Sequence, residues 1–297
     1  MSRRDALPGL PVHPIPVDQV VVEVVADPAN PSGRLVLQDG VESSYVDIAR
    51  PDRLGFEYQR HLASVIDVVH PKRLPLDLVQ IGGGPCAVPR YLDATRRDFS
   101  GVVIEIDAGV IDVALTYLGL DRQPRVRPLI GDGRARLADM PAASADVVIV
   151  DAFLGLVVPH PLVTRQFVDI VRRVLRPGGL HLINMIDIPP LGFAHAVAAT
   201  MRAAYGEVIV IADPRTISAE SSGNLVVAAS DEPLRGELVA RRAAHDDAPW
   251  QVLQGRALTR WTADAGALDD DVAPSHDLAL LGDLFGRARR RPAGDAR

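Results

Sequence analysis

The sequence predicts an α/β fold: a Rossmann-like, seven-stranded, mostly parallel sheet with helices on both faces, preceded by a small N-terminal β-domain. Three observations carry this. From Leu76 onward, seven apolar runs (LDLVQI, GVVIEI, RVRPLI, DVVIVD, GLHLINMI, EVIVIAD and NLVVAAS) alternate with helical stretches, the pattern a sheet buried on both faces requires. The first run ends in three consecutive glycines, Gly82, Gly83 and Gly84, and passes straight into a helical segment. Upstream, VVVEVVA (Val20–Ala26) and RLVLQD (Arg34–Asp39) flank the turn-rich DPANPSG, which reads as a β-hairpin.

Taken in order, residues 1–16 carry four prolines and no periodicity and read as an extended arm. Residues 17–70 form the β-region, to which SSYVDI adds a further strand, together with a linking helix. Residues 71–285 form the Rossmann-like domain. Within it VDIVRRVLRPGG places basic residues in a last helical turn and then Pro177, Gly178 and Gly179 as a stop. The last two strands lie close together, which predicts an antiparallel finish. Residues 286–297 form a basic tail that reads as solvated.

Composition narrows the function classes. No run of eighteen apolar residues occurs, and the basic N-terminal residues lack an apolar stretch behind them, so neither a membrane partner nor a secretory leader is expected and a cytoplasmic location follows. The lone Cys86 allows no internal disulfide. A net charge of -6 argues against nucleic acid as partner and is compatible with a cationic substrate. The eight histidines show no ligand spacing, so no metal is expected.

A strand entering Gly82, Gly83 and Gly84 and leaving as a helix brings backbone N–H groups close to a ligand, because glycine lacks a Cβ. G-G-G-P-C-A departs from G-x-G-x-x-G, with Ala87 in the last glycine's place, so a ligand-free tight turn is the competing reading. About twenty residues on, in VVIEID, the second strand ends with Glu105, where a carboxylate can accept both hydroxyl hydrogens of a ribose. Asp107 either lines that site or caps the following helix. Asp132, in IGDGRARL, either receives an adenine amine, with the backbone at Gly133 meeting the ring, or is a turn residue. Asp151 closes the fourth run. Acids at the ends of successive strands fall where open α/β sheets bind ligands. Cys86 is either a reactive thiol at a helix N-terminus or a small buried residue behind the turn.

The motifs IGGGP, VIEID, GDGR and VDAF, in that order, with LVLQDGVESSYVD and FEYQRHL before them and LDDDVAPSHDL after, resemble the spermidine synthase (polyamine aminopropyltransferase) family of the class I S-adenosylmethionine-dependent methyltransferase fold. The resemblance implies that Glu105 holds the ribose of an adenosyl sulfonium donor, that Asp132 contacts adenine and that Asp151 helps deprotonate an attacking amine. The implied donor is decarboxylated S-adenosylmethionine or S-adenosylmethionine itself. The implied acceptor is a small-molecule amine or another nucleophile, and a homodimer is implied by analogy. Tyr58 and Gln59 fall on the family's acceptor-side helix, and His160 lies in the loop after Asp151, either lining the acceptor pocket or sitting on its surface. Three departures stand out: Pro85 and Leu154 occupy positions that are usually aspartate, and Ser43 replaces an expected glutamine. Without Pro85's usual acid, discrimination against the ordinary donor is lost, so methyl transfer is a second reading and a non-catalytic homologue a third.

Overall fold

A computed structural model describes residues 7–243 and 249–272; the predicted basic tail and the end of LDDDVAPSHDL lie outside the described residues. The chain runs through β1 (Ile15–Pro16), β2 (Val21–Asp27), β3 (Asn30–Gln38), β4 (Val41–Asp47), α1 (Glu57–Val69), β5 (Leu76–Gly82), α2 (Ala87–Thr95), β6 (Phe99–Glu105) and α3 (Ala108–Tyr117). It continues with β7 (Val126–Ile130), α4 (Gly133–Ala138), β8 (Ala145–Asp151), α5 (Arg165–Val174), β9 (Leu175–Asp187) and α6 (Gly192–Ala204). The remaining elements are β10 (Glu207–Ala212), α7 (Pro214–Ile217), β11 (Gly223–Ser230), α8 (Gly236–Ala243), β12 (Gln251–Leu253) and α9 (Gly255–Trp261).

Strands β1–β4 form a separate antiparallel sheet in sequential order. Residues 30–33, expected in the hairpin turn, instead begin β3, because Asn30 and Ser32 donate hydrogen bonds to Asp47 of β4 at 2.8 and 2.6 Å. Pro31 falls where the β2–β3 register shifts, a place a strand tolerates proline. The turn is thereby reduced to Pro28 and Ala29. The next hairpin is closed by Asp39 and Gly40, with φ of 51° and 78°, the conformation that a two-residue Asp-Gly loop favours.

The main sheet has the order β12-β10-β11-β9-β8-β5-β6-β7. All seven apolar runs are strands in it, and the three-residue β12 adds an eighth at the edge. Strands β7, β6, β5, β8 and β9 are parallel, whereas β11, β10 and β12 are joined antiparallel. Pro177–Gly179 do not delay the next strand: α5 ends at Val174 and β9 starts at Leu175, absorbing the proline and glycines where its register on β8 slips.

Alternation within the central strands explains the two-sided burial. Leu76 and Leu78 of β5 and Val147 and Ile149 of β8 face one apolar cluster, while Val79, Ile81, Val148 and Val150 face the other. The first cluster also takes in Val22, Val24, Val36 and Val46 of the N-terminal sheet and Leu62 and Ile66 of α1, so the two sheets share one core across α1. No helix among the described residues is long and apolar enough to cross a membrane.

Candidate active site

Chain order reverses beside β5: the chain builds β6 and β7 on one side and then crosses to β8 and β9 on the other. Such a switch point opens a crevice at the carboxyl ends of the strands. Gly82 registers with Asp151 on β8, and Ile81 with Ile104 on β6, so the glycine turn lies between Asp151 and Glu105.

The glycines are required by space as well as by torsion. Gly82 and Gly83 have φ of 75° and 68°, which favour residues without a Cβ. A Cβ on Gly83 would come within 2.2 Å of the Gln80 amide nitrogen and 2.8 Å of Asp151 Oδ2. One on Gly84 would lie 3.2 Å from Glu105 Oε2 and 2.2 Å from Val110. The same turn therefore abuts both carboxylates. Pro85 is buried behind it.

Asp151 is buried, and its Oδ1 accepts an N–H from Asn184 of β9 at 2.8 Å. Desolvation pushes its carboxyl up to about 6, against the lowering effect of the Asn184 hydrogen bond. Tyr58, at the start of α1, is close enough for the Asp151 charge to act on it; burial first and that charge second hold its phenol well above its ordinary value. Its hydroxyl donates to the Ser43 carbonyl at 3.4 Å. Glu105 is raised by burial, while the backbone N–H groups of Asp107 and Ile106 oppose the shift. Three large apolar side chains stay exposed along this edge: Ile106 after β6, Ile130 at the end of β7 and Leu154 after β8. They offer apolar walls beside the carboxylates.

The structure thus brings together Gly82, Gly83, Gly84, Glu105, Asp151 and Tyr58. Gly133, at the start of α4, packs against the Ile81 side chain of β5, where a Cβ would meet it at 2.3 Å. The other predicted residues have different partners. Asp107 caps α3, accepting the Gly109 N–H at 2.9 Å, and its second oxygen accepts the Gln19 N–H at 2.8 Å. Asp132 is exposed and caps α4 through the Ala135 N–H at 2.8 Å. Gln59 is 1% exposed; it donates to Ser44 Oγ at 3.2 Å and to the Tyr58 hydroxyl at 3.4 Å and accepts the Phe56 N–H at 3.3 Å, pinning α1 to β4. His160 Nε2 is bonded to the Asp269 carbonyl at 2.8 Å, so its ring ties the loop after β8 to the chain's later segment. Cys86 is fully buried and its thiol is pushed up to about 12 by desolvation, which settles it as the small residue behind the turn.

Sequence reasoning missed Asn184 and Asn224, whose amides form a chain with Asp151: Asn224 Nδ2 donates to Asn184 Oδ1 at 3.1 Å. The available signal was an amide in each of two largely apolar runs, Asn184 in GLHLINMI and Asn224 at the head of NLVVAAS. Sequence reasoning noted Asp269 and Asp270 only within LDDDVAPSHDL and gave them no role. Asp270 meets Arg134 of α4 through two 2.7 Å contacts and Thr164 at 2.7 Å, strapping the loop after β8 to α4. Among the described residues no group of three or more His, Cys, Asp or Glu side chains could hold a metal ion.

A family model described as the spermine/spermidine synthase domain matches residues 55–203, half of the chain and the part that holds the glycine turn, Glu105, Asp151 and Asn184. A polyamine aminopropyltransferase of Alkalilimnicola ehrlichii is 34% identical over 163 residues, covering 54% of this chain and 54% of that protein. Spermidine synthase 2 of Datura stramonium is 29% identical over 153 residues, covering 50% of this chain and 45% of that protein. The chain thus spans about half the length of these curated relatives. Across nearly its whole length it is similar to the crystal structure of a probable spermidine synthase from Corynebacterium glutamicum, with a TM-score of 0.82, 28% identity, and coverage of 90% of this chain and 99% of that one. With the glycine turn and both carboxylates inside the matched segment, this chain belongs to the spermine/spermidine synthase family.

Proposed function

We propose that this protein transfers an aminopropyl group from decarboxylated S-adenosylmethionine to a small-molecule amine, with Asp151 as the proton acceptor. The observation that carries the proposal is the buried Asp151 carboxylate at the switch point, abutting the glycine turn and facing Tyr58, with its carboxyl pushed up to about 6. An amine attacks only when unprotonated. In the displacement, nitrogen forms a bond to the donor carbon as the carbon–sulfur bond breaks; the thioether leaves, and the nitrogen's surplus proton passes to the carboxylate. A base titrating near 6 is mostly ionised at neutral pH and can take that proton.

The adenosyl part of the donor fits the other half of the crevice. Glu105 is assigned the ribose, Gly82–Gly84 the close backbone approach, and Ile106 and Ile130 the apolar walls of the adenine, next to Asp132 and Gly133. Holding donor and amine in line supplies most of the acceleration expected of such a site. Pro85 places no acid at its position, so turnover with each of the two donors decides between them. A cytoplasmic homodimer belongs to the same proposal.

The test is turnover with either donor and a panel of amines, for the native chain and for Asp151→Asn. The native chain is expected to release the thioether product with the decarboxylated donor. Asp151→Asn is expected to lower kcat by about 10²–10⁴-fold, the range for a lost general base, with donor affinity changed only a few-fold. Methyl transfer from the ordinary donor, or unchanged turnover in Asp151→Asn, would overturn the assignment.

A further inference from the structure

We propose that Asn184 and Asn224 form an amide relay of fixed polarity that positions the Asp151 carboxylate, with Asn224 acting as a positioning residue through Asn184. The role of that carboxylate as proton acceptor rests on the function proposed above; the relay itself rests on geometry.

The three side chains come from β8, β9 and β11. Val150 registers with Ile183, which sets Asp151 beside Asn184, and Asn184 registers with Val226, which places Asn224 two residues along on the diagonal. Nothing in the packing calls for amides here. Leu182, Ile183 and Met185 on β9 and Leu225 and Val226 on β11 are fully buried apolar residues, and a buried amide is costly unless its hydrogen bonds are made. Asn184 is 1% exposed.

An asparagine beside a carboxylate has two orientations, one presenting N–H groups and the other an oxygen that repels the anion. Asn184 donates to Asp151 Oδ1 at 2.8 Å, and its own oxygen accepts from Asn224 at 3.1 Å. Flipping Asn184 would set NH₂ against NH₂ at one end and oxygen against oxygen at the other. Asn224 therefore reinforces the orientation the Asp151 anion already favours, by bonding the Asn184 oxygen on the far side and holding the amide against rotation. Around Asp151 stand Tyr58 from α1, neutral at ordinary pH, Glu105 from β6, a second carboxyl group, and the backbone of Gly83. Among the described residues Asn184 makes the one side-chain hydrogen bond to Asp151. Its loss removes the influence that opposes burial, so the carboxyl would bind its proton more tightly.

The experiment is a titration of the Asp151 side-chain carboxyl in the intact chain by ¹³C NMR, assigned by difference from Asp151→Asn, for the native protein, Asn184→Leu and Asn224→Leu. Both leucines roughly preserve volume. The midpoint is expected to rise by about one pH unit, a tenfold fall in ionised fraction below the midpoint, in Asn184→Leu and by a smaller step in Asn224→Leu. The acid limb of kcat should move with it while donor affinity stays level. A merely structural role would lower the melting temperature and leave the midpoint in place, and that result would overturn the relay. Should Asn224→Leu not fold, Asn224→Ser, which shortens the donor, carries the same comparison. Shifted midpoints in a protein that turns over no donor would uphold the relay and sink the proposed reaction; unmoved midpoints in an active enzyme would do the reverse.

Discussion

A carboxyl group that has to ionise almost out of reach of water weakens the fold that holds it. Asp151 titrates at about 6 in the folded chain against an ordinary value of 3.8. Because the folded-state value is the higher one, the proton favours the native state: its contribution is greatest at low pH, declines as pH rises from about 4 through about 6, and stays lost above. Two pH units correspond to about 3 kcal/mol at most. Asp151→Asn should therefore be more stable than the native protein by about 1–3 kcal/mol at pH 8, with the difference shrinking toward pH 4. Denaturant melts at the two pH values check this, and equal stability at pH 8 would mean that the carboxylate is well solvated. Cys86 yields a second expectation at the same scale. With its thiol raised to about 12 and fully buried, it should resist alkylation at pH 8 in the native protein and label only as fast as the chain unfolds.

At the scale of elements, the glycine turn separates two kinds of constraint. A Cβ on Gly82 would lie 2.5 Å from the Asp151 carbonyl oxygen and 2.6 Å from Ala152 Cα, both backbone, at a φ of 75°. Gly82→Ala is expected to cost on the order of 2–4 kcal/mol, combining left-handed strain with displacement of the strand end that carries Asp151. Gly84 has no positive φ, and its nearest obstacle is the Val110 side chain, which can rotate. Gly84→Ala should cost clearly less stability while crowding Glu105. Thermal melts of the two variants test the ranking, and a reversed order would refute the turn geometry. This turn was legible in the sequence because β5, the glycines and α2 are contiguous, so local patterning carries the information. The positions of Glu105 and Asp151 were legible for the same reason, each being the last residue of a strand. Asn184 and Asn224 were not, since their meaning comes from a register between β9 and β11 that no local pattern encodes. The His160 contact was not legible for a related reason. Its partner Asp269 is 109 residues away in sequence, and nothing near the histidine announces that contact.

At the scale of the whole molecule, the two sheets are coupled rather than merely joined. Valines of β2, β3 and β4 pack in the same apolar cluster as α1 and the central strands, and the strap at Asp269–Asp270 binds the loop after β8 to α4 and α5. The pairing of β2 with β3 was visible in the sequence from two strand-forming runs around a turn, but their sharing of a core with β5 and β8 was not, because α1 can present either face until the tertiary packing is known. Asp107 adds a polar tie: one oxygen caps α3 and the other holds the Gln19 backbone, while Val17 sits against Gly109. Two separately stable sheets would melt in two steps, whereas a continuous core predicts one cooperative transition whose calorimetric and van't Hoff enthalpies agree. Asp107→Ala should lower stability by about 1–2 kcal/mol, the loss of a helix cap plus one further hydrogen bond, without splitting that transition. Asp107→Asn should cost less, since its amide oxygen can still cap α3. A native chain that unfolds in two resolved steps, or an Asp107→Ala variant whose N-terminal sheet melts ahead of the rest, would show that the N-terminal sheet is an appendage. The shared apolar cluster would then be a contact surface between two units and not a single core.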